Sequence, residues 1–318
     1  MIDTTSPEAA LPEGFVHPAL FYRGQREYLT GVTGFVRAAL AADEPVLVAV
    51  PGPRLEELRH HLGADADAIE GVDMTVLGRN PGRILSALRE FADRHPDRSA
   101  RIVGEPIWAG RSRAEVLEAT RHEALINTAF AGRSATILCP YDTTALTPEV
   151  VADARRTHPT LIENGLDLPS PAYTDAATVS ADCDLPLAEP PAETLVVDYA
   201  GGRLAHVREQ AEAWAGRTAL DAGRRGDLVL AISEAAANSI AHGGGKGSLR
   251  LWTAPTGDVV AEISDGGRWT DPLAGRRRPG LASGNGGRGL WMIHQLCDLV
   301  EVRALDSGLT LRLHMALG

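Results

Sequence analysis

The chain has 318 residues, 44% of them hydrophobic and 23% charged, a composition of folded domains and a length that calls for two hydrophobic cores. A formal net charge of −11 excludes a broad surface for phosphate backbones, so nucleic acid is not an expected partner. The three cysteines contain no CxxC pair and read as reduced thiols rather than a disulfide or zinc framework. With no apolar run of spanning length and no signal-peptide pattern, a cytoplasmic, membrane-free protein is expected.

From Phe15 onward, short apolar runs alternate with amphipathic stretches. Val46–Val50, Val72–Leu77, Arg101–Glu105 and Ser134–Cys139 read as buried strands. Between them, residues 54–62, 81–94 and 113–130 carry helical periodicity, with Ile84, Leu85, Leu88 and Phe91 on one stripe. Such alternation predicts an α/β domain over 15–165, with a mostly parallel sheet covered by helices. Five prolines between Asp167 and Glu193 mark 166–193 as a linker. Over 194–318 a short run at 194–199, helical stretches at 203–214 and 227–242, and strands at 248–253, 259–265 and 309–315 give an α+β layout.

On the second of those helices, Val229, Ile232, Ala236 and Ile240 form one stripe, and Glu234, Asn238 and His242 lie one turn apart on the opposite face. Ala231 and Ala235 flank Glu234 and Asn238 and keep that face low, which predicts room for a ligand. An exposed i,i+4 pair alone would stabilise the helix by only a few tenths of a kcal/mol. Three further elements follow in order: Ile263-Ser-Asp-Gly-Gly267, Gly286-Gly-Arg-Gly-Leu290 and Gly308-Leu-Thr310.

DLVLAISEAAANSIAHG resembles the N-box of GHKL (HATPase_c, Bergerat-fold) ATP-binding domains, and ISDGG and GGRGLWMIHQLCDLVEV resemble their two glycine boxes. GLTLRLHMAL resembles their closing strand. Within that fold the likeness is to anti-sigma-factor serine kinases of the SpoIIAB and RsbW kind. The resemblance implies ATP and Mg²⁺ as cofactors, with Glu234 as general base and Asn238 as metal ligand. It also implies nucleotide contacts from Asn238, His242, Asp265, Gly267, Gly286, Gly287, Arg288, Gly289, Leu290 and Thr310. Such chemistry suits these types: Mg²⁺ takes oxygen ligands, a carboxylate removes a hydroxyl proton, and glycines let backbone N–H groups approach phosphates. Residues 268–285 then correspond to the nucleotide lid, whose arginines are expected to meet phosphate or partner acids. Where the family's first glycine box continues with a further Gly, this chain has Arg268-Trp269.

The implied activity is phosphorylation of a Ser/Thr on a STAS-domain anti-sigma antagonist, with sequestration of a sigma factor. A homodimer is a further expectation. The alternatives are a non-catalytic ATP-dependent binding switch and an atypical sensor histidine kinase; neither His206 nor His158 sits in the two-helix hairpin the latter needs.

The first domain contains no lysine, since Lys246 is the only one in the chain, and a Walker A phosphate loop is thereby excluded. HPALFY, GRI, GEPIW, RHEALIN and CPYD resemble the MEDS sensory domain, read as a degenerate RecA/KaiC-like module that senses an unknown small molecule. His17, Tyr22, Glu105, Trp108, Glu123 and Asn127 are the candidate lining of that sensory site, Glu105 standing at a strand end where open α/β sheets bind ligands.

Overall fold

A computed structural model describes residues 14–280 and 287–317. The order of elements is β1 (Phe15–Val16), β2 (Pro18–Tyr22), α1 (Gly24–Ala41), β3 (Val46–Val50), α2 (Gly52–Leu62), β4 (Ile69–Asp73), α3 (Met74–Leu77), α4 (Pro81–Asp93), β5 (Ala100–Gly104), α5 (Arg113–Ala129), β6 (Ala135–Asp142), α6 (Pro148–Thr157), β7 (Thr160–Glu163), β8 (Leu166–Pro169) and α7 (Ala176–Asp182). The second half continues with β9 (Leu195–Ala200), α8 (Leu204–Ala215), α9 (Ala222–His242), β10 (Lys246–Thr253), β11 (Val259–Asp265), α10 (Arg288–Leu296), β12 (Leu299–Leu305) and β13 (Gly308–Met315).

The first sheet runs β4-β3-β5-β6-β2-β7-β8, parallel throughout except for the β7–β8 hairpin. β1 and β2 hold one register along β6 and are interrupted only at His17. Strands such as VLVAV are buried on both faces because helices cover both: Val32, Val36, Leu55 and Leu58 of α1 and α2 pack on one, Leu85, Leu88, Leu125 and Ile126 of α4 and α5 on the other. The alternation read from sequence is thus realised, with one change. The run Val72–Leu77 splits into the end of β4 and the short helix α3, because Asp73 accepts hydrogen bonds from the Thr75 N–H and hydroxyl and caps a helical turn. A mostly parallel sheet with helices on both faces gives a doubly wound α/β layer.

The second sheet is antiparallel, in the order β12-β13-β11-β10-β9, with α8, α9 and α10 on one face. Val207, Ala211, Ile232, Ala236, Ile263 and Leu313 meet in its core. The other face carries Glu262, Arg312, Glu301 and Arg303 in ion pairs.

The Pro-rich stretch is built into both halves rather than hanging between them. β8 joins the first sheet, Val179 and Cys183 pack on Ala124 of α5, and the chain then crosses the second sheet, its Leu185 and Ala188 carbonyls accepting from Arg303 and Arg312. Past α7, Pro186, Pro190 and Pro191 deny it regular structure, and the Arg303 and Arg312 side chains satisfy carbonyls there.

Candidate functional site

Asp221 caps the start of α9 by accepting the Arg224 N–H at 2.9 Å, and the helix then runs five turns to the three glycines at 243–245. Glu234 and Asn238 lie one turn apart and are half-buried, whereas Ala231 and Ala235 are buried in the core. The alanines therefore pack against the sheet rather than line the open face; what keeps that face low is Gly289. A Cβ at Gly289 would lie 2.6 Å from Glu234 Oε2 and 3.5 Å from Asn238 Nδ2. The second glycine box is thus seated on the N-box residues, a contact a larger side chain would break.

Gly287 opens α10 with φ of +85°, a left-handed conformation that glycine adopts without strain, and has no side chain of its own with which to cap the helix. The start of α10 stands beside Glu234 and Asn238, and the N-terminal end of a helix is the end that suits an anion. Leu290 follows and packs partly into the core. Arg288 is exposed on the same turn. Gly286 lies outside the described residues. Asn238 Nδ2 is buried without a hydrogen-bond partner, so the amide has a polar function to fulfil that the protein itself does not supply. These features, an amide donor unsatisfied among the described residues, a glycine cradle and a helix start, fit the phosphates of a nucleotide, with the amide oxygen of Asn238 as the atom that would ligate Mg²⁺.

Asp265 ends β11 facing α9. Its Oδ2 accepts from the Ser239 hydroxyl at 2.5 Å and its Oδ1 from the Gly267 N–H at 2.7 Å. Ser239 was not singled out from sequence; an i+1 neighbour of Asn238 carries no periodic signal that it would hold a carboxylate 26 residues away. Gly243 is tight against the Asp265 carboxylate, so a Cβ there would displace it. His242 is exposed at the end of α9. Thr310 does not join this group. It stands opposite Ser264 in the β11–β13 register, and the two hydroxyls meet at 3.0 Å on the face of the sheet away from Asp265 and the helices.

The base of the lid region is anchored in the other domain. Leu273 is buried in the α4–α5 core, Arg276 pairs with Glu118 of α5 at 3.4 Å, and Arg278 pairs with Glu90 of α4 at 2.9 Å. Two of the expected acid partners of the RRR run are therefore in the chain itself. Trp269, standing where a glycine was expected, packs against the second core. Glu118 is fully buried and also receives Arg303 of β12 at 2.6 Å. Arg121 donates to the Val302 carbonyl and pairs with Asp184. α5 thereby satisfies the edge strand β12 from outside its own sheet.

The far end of α10 is held the same way. Asn80, the N-cap of α4, is fully buried and donates from Nδ2 to the carbonyls of His294 at 3.0 Å and Cys297 at 3.3 Å. Arg83 donates to the same two carbonyls at 2.8 and 2.7 Å, placing positive charge on the negative end of the α10 dipole. Gly82 is in van der Waals contact with the His294 ring, which explains the glycine of the GRI motif. Burial, then the neighbouring Arg276 and Arg83, hold His294 neutral, well below the ordinary histidine range.

The six sensory candidates divide into separate groups. Tyr22 and Glu105 meet through Arg54, which pairs with Glu105, donates to the Tyr22 hydroxyl and lies over the Tyr28 ring. Arg54 follows β3 and Glu105 follows β5, the two strands between which the chain reverses its direction of travel across the sheet. His17, Glu123 and Asn127 form a second group beneath α5. Trp108 stands apart, under the Arg111 guanidinium. Arg54, Tyr28, Cys139 and His158 complete these groups. The sequence marks Cys139 only as a reduced thiol and His158 only as lying outside a two-helix hairpin, since the partners they share in this group lie far away along the chain.

Two family models match the chain. One, described as MEDS: MEthanogen/methylotroph, DcmR Sensory domain, covers residues 16–159. The other, described as Histidine kinase-like ATPase domain, covers residues 200–315. A search of curated proteins returns no match. The chain thus combines a sensory-domain match with an ATPase-domain match, and among the described residues no helix is long and apolar enough to cross a membrane.

Proposed function

We propose that the chain is a cytoplasmic serine/threonine protein kinase of the anti-sigma type, which phosphorylates a STAS-domain antagonist, sequesters a sigma factor, and is controlled by its MEDS-like domain. The observation that carries this reading is the seating of Gly289 on Glu234 and Asn238, which brings a candidate base, a candidate metal ligand and the start of a helix together. Asn238 would hold Mg²⁺, which supplies charge neutralisation at the phosphates when bound. Glu234 takes the proton of the attacking Ser/Thr hydroxyl; a carboxylate one helical turn from the metal ligand is positioned for that transfer. Asp265, oriented by Ser239 and the Gly267 N–H, receives the adenine amino group.

Control through the lid follows from its anchorage. Leu273, Arg276 and Arg278 tie the lid base to α4 and α5, so a change in the sensory domain alters the lid without touching Glu234. The proposed small-molecule signal binds beside Tyr22, Arg54 and Glu105, at the carboxyl ends of the strands where the sheet changes direction. The serine rather than histidine assignment is supported by the path from residue 183 to α9. It holds β9 and α8 of the domain itself, with His206 on the exposed side of α8, and no dimerisation hairpin.

The test is transfer of labelled γ-phosphate from ATP to cognate STAS antagonists. Wild type is expected to label the antagonist, and Glu234→Ala to lose at least about a hundredfold in rate while retaining ATP binding. ATP binding with no transfer to any cognate antagonist would leave the non-catalytic switch as the function. Transfer undiminished in Glu234→Ala would remove Glu234 as the base.

A further inference from the structure

Beneath α5, four side chains from four separate segments converge in the interior of the first domain: His17 at the β1–β2 interruption, Glu123 of α5, Cys139 of β6 and His158 after α6. All four are at most 1% exposed. Their nearest ligand atoms lie within 4.8 Å of one another. His17 Nε2 and His158 Nε2 each stand 3.2 Å from Glu123 Oε2, and Cys139 Sγ is 3.4 Å from His17 Nε2. A tetrahedral ion with bonds of about 2.0–2.3 Å to N, O and S would space its ligands about 3.3–3.8 Å apart. Three of the spacings in the cluster are close to that dimension, and the four ligand atoms all lie within 4.8 Å of one another.

The hydrogen bonds around the two rings decide which nitrogen faces inward. Asn127 Nδ2 donates to the Thr157 carbonyl at 2.8 Å, which turns its Oδ1 toward His17 Nδ1 at 3.1 Å. His17 therefore carries its proton on Nδ1. His158 Nδ1 lies 2.8 Å from the Ala154 carbonyl and carries its proton there for the same reason. His158 Nε2 is left as a bare lone pair aimed at a Glu123 carboxylate oxygen, and His17 Nε2, at the same distance from that oxygen, has only the Cys139 thiol at 3.4 Å as a donor. Neither oxygen of Glu123 nor His158 Nε2 has a hydrogen-bond partner. Lone pairs facing lone pairs in a dry interior are repulsive, and a buried carboxylate without a donor costs several kcal/mol. Protein atoms alone leave the arrangement unbalanced. A divalent cation resolves it: two neutral imidazoles, one thiolate and one carboxylate give the ion four ligands and a net charge of zero. Each imidazole is oriented by a carbonyl oxygen on its other nitrogen, as metal-binding histidines are.

We propose that His17, Glu123, Cys139 and His158 bind one zinc ion, closed to substrate because all four positions are taken by protein. The N₂OS donor set suits Zn²⁺ among the divalent metals and is too soft for Mg²⁺ or Ca²⁺. This site is separate from the nucleotide face and does not depend on the kinase reading.

The test uses the full chain, purified without chelator and analysed for metal by plasma mass spectrometry, with Co²⁺ replacing the ion for spectroscopy. One equivalent of zinc per chain is expected, together with tetrahedral d–d absorption and a thiolate-to-cobalt charge-transfer band in the Co²⁺ form. Cys139→Ser should abolish the charge-transfer band, and Asn127→Ala should weaken zinc binding about 10–100-fold by releasing the His17 ring. Circular dichroism and ATP binding verify that each variant is folded. The double variant His60→Ala/His61→Ala, on the exposed end of α2, should keep its equivalent. A folded wild type that holds no zinc and gains no thermal stability from added Zn²⁺ would overturn the site. So would a charge-transfer band that survives in folded Cys139→Ser.

Discussion

Helices α9 and α10 face each other across the candidate nucleotide site and are held in opposite ways. α9 has its own cap in Asp221 and packs on α8, α10, β10 and β11 of its own domain. α10 starts at a glycine, Gly287, and ends on Asn80 and Arg83 of the other domain, with Trp291 donating to Ser86 of α4. The helix that carries Glu234 and Asn238 is therefore intrinsic to the ATPase domain. The helix whose Gly289 sits on those two residues is positioned jointly. Regulation has a physical place to act: moving α4 moves the carboxyl end of α10 and the lid base, while leaving the N-box where it is.

That contrast can be broken most strongly at Glu118. Glu118→Ala leaves Arg276 and Arg303 buried without their shared carboxylate, and removal of one member of a buried ion network typically costs about 3–5 kcal/mol. Urea unfolding should show that loss, and lid-dependent ATP affinity should fall with it. Equal stability in the variant would mean the domains are not joined through this pillar.

Asn80→Ala is expected to cost less, about 1–3 kcal/mol, for two buried carbonyl contacts at the end of α10. Because the loss falls on α10 and not α9, isothermal titration should find weaker ATP binding with Glu234 chemistry unchanged at saturation. A pure stability change with unaltered ATP affinity would contradict joint positioning of α10.

The smallest effect concerns pH. His294 is held neutral in the docked protein, so its folded pKa lies below the unfolded value of about 6.5. The stability it permits is full above about pH 6.5 and is lost as pH falls, because the unfolded chain then binds a proton the docked form refuses. Thermal unfolding should drop by up to about 1.4 kcal/mol per pH unit below about 6 from this group. In His294→Gln that component of the slope should disappear; an unchanged slope would place the acid sensitivity elsewhere.

Much of the fold is legible in the residues. Runs such as VLVAV and ATILC announce strands buried on both faces, and the Ile84–Leu85–Leu88–Phe91 stripe announces α4. The pair Glu234 and Asn238 is local, four residues apart on one helix, and so can be read from spacing alone. Asp265 and Gly289 are recognisable by their glycine neighbours, though not the Ser239 hydroxyl that orients one or the carboxylate beneath the other. Val72–Leu77 misleads because a six-residue apolar run has no periodicity to separate strand from helix, and Asp73 decides it. The closing-strand resemblance implies a nucleotide contact from Thr310, but strand alternation turns it to the opposite face of the sheet from Asp265.

What the sequence by itself determined is what local periodicity and composition can encode: two α/β-type halves, the N-box face of α9 and the absence of a Walker A lysine. What only the tertiary structure decided are contacts between segments far apart in the chain. Asn80 and Arg83 reach α10 across more than two hundred residues, Glu118 reaches Arg276 across 158, and His17, Glu123, Cys139 and His158 meet from four elements. The cysteines look inert and unsuited to zinc in sequence because metal-ligand spacing is a local signal. In a parallel sheet, neighbouring strands are joined by crossovers long enough to separate the residues that the fold then brings together.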